Sequence, residues 1–161
     1  MDIIFNDILT LLSAIPELKW IDYNDGQLDL PDESYPVLMP CALIDVTNID
    51  WQGASRGAQT GEATITITVA FDIYEDVHSR VSPSHRAAAL SRLAVLNTIH
   101  AALQGRSGAN YRALHRTNSA TERRNDGLKV IVLTYKTTVT DTHGQKQNTV
   151  KFTEADITVT H

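Results

Sequence analysis

Residues 61–76 read GEATITITVAFDIYED, and the alternation in this run constrains the fold more than any other feature of the chain. The odd positions are Ala63, Ile65, Ile67, Val69, Phe71 and Ile73; the even ones are Glu62, Thr64, Thr66, Thr68, Ala70, Asp72 and Tyr74. A period of two sends successive side chains to opposite faces of a sheet, so this is a long strand with one apolar and one polar face. The apolar face has to be buried. The threonine face is either wet or lies against another chain.

The flanking sequence supplies what buries it. Ile4, Ile8, Leu11, Leu12 and Ile15 recur at helical spacing and Pro16 follows, which predicts a first helix over residues 2–14. In SPSHRAAALSRLAVLNTIHAALQG, Ser82 is placed as an N-cap and Pro83 as the first helical residue. Ala89, Leu93, Leu96, Ile99 and Leu103 form the stripe of one long helix, and Gly105 stands where helices end. CALIDVTNIDW reads as a strand with Ala42, Ile44 and Val46 on one face. A Gly-rich tip, QGASRGAQTG, joins it to the threonine strand. Before it, KWIDYNDGQLDL predicts a short strand, a turn at Asn24–Gly26 and room for a second short strand; Pro31, Pro36 and Pro40 mark an extended connection. The later segment YRALHRTNSATERRNDGLKVIVLTYKTTVTD predicts two strands joined at Asn125-Asp126-Gly127. The expected fold class is α+β: a largely antiparallel sheet with two helices packed on one face. Residues 1–141 form that domain. Residues 142–161, with Val150, Phe152, Ile157 and Val159, add a C-terminal arm or edge strand.

Charge is unevenly spread. The chain carries −5 overall, but residues 1–50 hold ten acids and one base, Lys19, whereas residues 80–129 hold nine bases against Glu122 and Asp126. Two solvated surfaces, a phosphate-binding face, or a subunit whose complementary ends stack on its own copies each account for this. The basic segment has little aromatic residue content for base stacking, Tyr111 being nearly alone, so no specific nucleic-acid binding is expected. No apolar run approaches the roughly 20 residues that span a bilayer, and no membrane partner is expected.

The motifs of catalysis and metal binding are missing from the sequence. Six histidines are present, yet no pair shows the helical i, i+4 spacing of a zinc protease, and His85 and His100 lie about four turns apart. One cysteine, Cys41, excludes an internal disulfide, and no neighbouring base activates it. There is no Gly-x-Ser-x-Gly elbow and no phosphate loop. DYNDGQLDLPDE gathers carboxylates without the spacing of a calcium loop. The expectation is therefore no enzyme, no cofactor and no metal.

The element order resembles that of the tail terminator and tail completion proteins of long-tailed bacteriophages and their prophages. The likeness covers about residues 1–141 and rests on several features together. They are the amphipathic first helix, the approach SYPVLMPCALIDV, the Gly-tipped hairpin into TITITVAFDIYED, the capped helix, and the closing TERRNDGLKVIVLTYKTTVTD. It implies a structural protein of the virion tail, assembled in the host cytoplasm. Such a protein forms a ring, usually hexameric, on the end of the tail tube, stops tube growth and meets the head–tail connector. Its partners would be its own copies, the tail tube protein and the connector protein. A head–tail connector or neck protein, or a small enzyme or ligand-binding domain, are the competing readings. Under the ring reading the interaction residues expected are Gly53, Arg56 and Gly57 at the tip, Thr64, Thr66 and Thr68 on the polar face, and Arg86 and Arg92 on the long helix.

Overall fold

The computed structural model describes residues 2–29, 37–72 and 79–145. Helix α1 (Asp2–Ser13) leads into a four-residue strand β1 (Trp20–Tyr23). Two long strands follow, β2 (Cys41–Gly53) and β3 (Gln59–Asp72). Helices α2 (Pro83–Leu93) and α3 (Val95–Leu103) precede the closing hairpin, β4 (His115–Glu122) and β5 (Leu128–Asp141). One five-stranded sheet results, in the order β1-β2-β3-β5-β4, and only the β1–β2 pair is parallel. This is the α+β architecture expected.

The alternation of β3 dictates the core. Ile65, Ile67, Val69 and Phe71 are fully buried beside Ile44 of β2 and Ile131, Leu133 and Tyr135 of β5. Across from them lie Ile4, Ile8 and Leu12 of α1 and Val95, Ile99 and Leu103 of α3. Burying each large aliphatic or aromatic side chain contributes about 1.5–3 kcal/mol before chain entropy is subtracted. Ile73, Pro31, Pro36 and residues 146–161 lie outside the described residues, as does the side chain of Arg92.

Four expectations need correction. The long helix is two helices, parted at Ala94. There the Ala94 N–H donates to the Ser91 carbonyl and the Asn97 N–H to the Ala94 carbonyl, both three residues back, a local tightening of the turn. The cap itself is as expected: the His85 N–H points at Ser82 Oγ at 3.4 Å, and Gly105 closes α3 with φ +76°. The buried stripe then runs through Val95, which the expected stripe omits, while Leu93 and Leu96 are half-buried. Second, Asn24–Gly26 does turn, but no strand follows it. Residues Gln27–Asp29 make one 3-10 turn, and β1 joins β2 in parallel rather than as a hairpin.

The third correction concerns the threonine face, which is not uniform. At the Cys41 end, Cys41, Leu43, Ala70 and Val130 form a small second core beneath Trp20, Leu28, Val37 and Met39. Thr68 is buried there at 8% exposure, whereas Thr64 and Thr66 remain half-buried. Leu28, Val37 and Met39, from the two described ends of the parallel β1–β2 connection, pack on this face, which an antiparallel hairpin would have left bare. Fourth, a bulge at Thr47 shifts β2 by one residue. It brings Ile49 and Trp51 onto the same face as Ala42, Ile44 and Val46.

Candidate interaction edges and tip

The hairpin of β2 and β3 is built for reach. Its 13- and 14-residue strands extend about 45 Å. Its far end carries the sequence-predicted tip residues: Gly53 ends β2, and Arg56 and Gly57 turn the chain with φ +59° and +82°. Arg56 holds a left-handed conformation that a glycine would adopt without strain. All three are exposed. The turn is closed by the Ala54 N–H on the Ala58 carbonyl at 2.8 Å. A side chain on Gly57 would collide with the Gly144 carbonyl, so the turn that follows β5 abuts the tip. One step down, Trp51 pairs with Gly61 and its ring covers the space a side chain would take. Trp51 stays 42% exposed, beside Ile3 and Ile49.

The structure keeps the other predicted residues apart from the tip. Thr64 and Thr66 lie midway along β3, and Thr68 is covered. Helix α2 belongs to the Phe71 end: Ser91 and Ala94 line a hollow there with Glu17, Met39, Pro40 and Phe71. Arg86 is turned back on its own helix start. Its guanidinium donates to the carbonyls of Ser79 at 2.9 Å and Val81 at 3.3 Å.

What the sheet order adds is the fate of the charge asymmetry. It places four acids of the first part of the chain on one flank and four bases of the later part on the other, while Asp7 lies beside Gly108 and Tyr111 and Asp29 meets Arg124. On the β1–β2 flank stand Asp22, Asp25, Asp45 and Asp50. Tyr23 donates its phenol to Asp45 at 3.3 Å, and the neighbouring Asp45 charge holds the Tyr23 pKa above its usual value. On the β4 flank stand Arg112, His115, Arg116 and Arg123, and every residue of β4 is exposed. Lys136 and Glu62 pair between the two flanks at 2.5 Å, which raises the Lys136 pKa. Sequence alone does not single out Arg112, Asp45 or Asp50. The asymmetry points to them, but only the strand order says that the two signs end on opposite edges.

Arg124 has a structural duty. With 13% of its side chain exposed, it binds Asp29 at 2.6 Å, Asp126 at 2.7 Å and Glu122 at 3.0 Å, and donates to the Leu28 carbonyl. It thereby ties the chain crossing the second face to the β4–β5 turn. Its hydrogen bonds to Asp126 and then Asp29 raise its pKa further, and the contact with Asp126 lowers the pKa of that carboxylate.

Chemistry does not converge anywhere comparable among the described residues. A hollow of about 790 Å3 is an open groove between residues 107–113 and β5, lined by Arg112 and His115 and by Glu62 and Lys136, which pair with each other. Cys41 is fully buried, which pushes its thiol up to about 11 and leaves no thiolate at neutral pH. No group of three or more metal-ligating side chains occurs among the described residues. No described helix is long and apolar enough to cross a membrane.

No protein-family model and no curated protein matches the chain. Among solved structures, a chain described as belonging to the virion of a native gene transfer agent particle is similar, with 15% sequence identity and a TM-score of 0.46. The alignment covers 85% of this chain and 92% of that one. At that identity and TM-score two chains need not share a topology.

Proposed function

We propose that this chain is a non-enzymatic virion structural protein of the tail terminator type. It joins its own copies in a ring, hexameric in that family, at the end of a tail tube, ends tube growth and offers its other surface to the head–tail connector. The observation that carries this reading is the pair of unlike flanks. A subunit in a closed ring needs two different surfaces that complement each other, because each copy meets one neighbour with each. An acidic edge on one side of a sheet and a basic edge on the other meet that requirement, and both stay soluble in the free subunit. The sequence likeness over residues 1–141 supports the same reading. The protruding hairpin with its exposed tip is suited to contacts along the tube axis.

The test is a mass measurement and electron microscopy of the purified chain, alone and mixed with tail tube protein. The expected outcome is a ring-sized species that forms on tube ends and arrests their lengthening. A chain that stays monomeric and leaves tube length unchanged at every salt concentration would sink the reading.

A further inference from the structure

The ring reading leaves open which surfaces meet, and the register of the sheet supplies a contact that rests on that reading. Strand β1 covers only Cys41–Ile44, four of the thirteen residues of β2, so the remaining nine present an open edge among the described residues. On the opposite flank, the Arg112 N–H donates to the Thr138 carbonyl at 2.8 Å. Thr138 pairs with Glu62, and Glu62 with Asp50. Arg112 and Asp50 therefore stand at the same level, on the same face, at opposite edges. Arg116 pairs with Tyr135, level with Ile65 and Val46 on the opposite, helix-covered face, whereas Asp45 pairs with Thr66 and shares the face of Asp50, so only Arg112 and Asp50 match in both level and face.

Neither the Arg112 nor the Asp50 side chain is held in an ion pair among the described residues. Strands β2, β3, β5 and β4 alternate in direction, so a second copy in the same orientation brings its acidic edge alongside the basic one with the levels aligned.

We propose that a second copy of this chain docks head to tail, with Asp50 of its β2 edge against Arg112 of the first. The contact is made by side chains rather than by a continuous ladder. The Gln104 side chain already accepts the Arg116 N–H at 3.0 Å, and the Tyr111 carbonyl already accepts the Gly108 N–H. A contact made of exposed charges is individually weak and screened by salt, so the free ring forms best at low ionic strength.

Charge reversal tests this directly. Arg112→Asp sets an acid against Asp50 of the neighbouring copy, and Asp50→Arg sets a base against its Arg112. Each alone should associate at least about tenfold more weakly than wild type in low-salt sedimentation, since like charges now oppose. An equimolar mixture of the two should recover association, because each variant complements the other. A second measurement uses the double variant Asp50→Cys with Arg112→Cys. Within one copy these positions are three strand spacings apart, about 14 Å, which no disulfide spans. Oxidation should therefore give ladders linked between copies. Normal ring formation by both reversals, with no ladder, would overturn this contact and leave the ring reading standing. A wild type that never associates, alone or on tube ends, would overturn both. Duplex DNA binding by monomers that is lost with Arg112→Asp would reassign the basic edge to phosphate and overturn this contact as well.

Discussion

The two ends of the same strands have opposite fates. At the Cys41 end, β2, β3 and β5 are covered on both faces: helices lie on one, and Trp20, Leu28, Val37 and Met39 on the other, with Arg124 tied to Asp29. At the tip end, the second face carries Asp50, Glu62, Thr64 and Lys136 with nothing described above it, and the first face ends in the half-covered Trp51. The alternation of β3 runs through both ends without a change of period. Alternation fixes which residues share a face, and what lies over that face decides whether they stabilise the monomer or remain available to a partner.

The largest effect expected is on the covered end. Phe71 is 1% exposed in the main core, so Phe71→Ala should destabilise by about 3–5 kcal/mol. Trp51→Ala removes a larger ring that is 42% exposed and should cost no more than about 1–2 kcal/mol in the monomer. Chemical denaturation of the two variants separates them. Equal losses would mean that the tip is part of the folding core.

A smaller effect is expected where the crossing link is tied down. Arg124→Ala removes hydrogen bonds to three carboxylates and a carbonyl and should cost about 1–3 kcal/mol. The pH dependence has a definite sign. Arg124 lowers the Asp126 pKa below its ordinary 3.8 in the folded chain, so the ionised carboxylate contributes stability that is complete above that value. It is lost as the pH falls through the lower folded value. Thermal melts between about pH 2 and 5 should show wild type losing stability on acidification, with a flatter curve for Arg124→Ala. A parallel pair of curves would mean that the clamp contributes nothing through charge.

How legible each feature is in the sequence depends on the range of the signal. The faces of β3, the helix α1, the Ser82–Pro83 start, the Gly105 stop and the Gly127 turn are local signals, each carried by a few adjacent residues. The break at Ala94 is not, because no glycine or proline marks it; Val95 and Leu96 both being apolar is the only hint. The covering of Thr68 depends on a parallel β1–β2 link and on Arg124 meeting Asp29, 95 residues away in sequence. Nothing near Thr68 signals that. The candidate edges fall between these cases. Composition already shows two signs of charge, but the pairing of Asp50 through Glu62 and Thr138 to the level of Arg112 is a property of register alone.

The smallest effect expected is on nucleic acid. The basic flank invites a phosphate reading, since Arg112, His115, Arg116 and Arg123 are exposed along one edge. Three features oppose it. The chain as a whole carries −5, so its long-range field does not attract a polyanion. Tyr111, the aromatic residue in the segment, is 4% exposed and packed in the core, where it cannot stack on a base. Arg124 is already held by three carboxylates. Titration of the isolated subunit with duplex DNA should therefore show little or no binding, even at low salt, where counterion release favours it most. Raising the salt should weaken self-association while the DNA signal stays flat. A steep, salt-dependent DNA affinity in the monomer would make the basic edge a phosphate-binding surface and leave the acidic edge without its proposed partner.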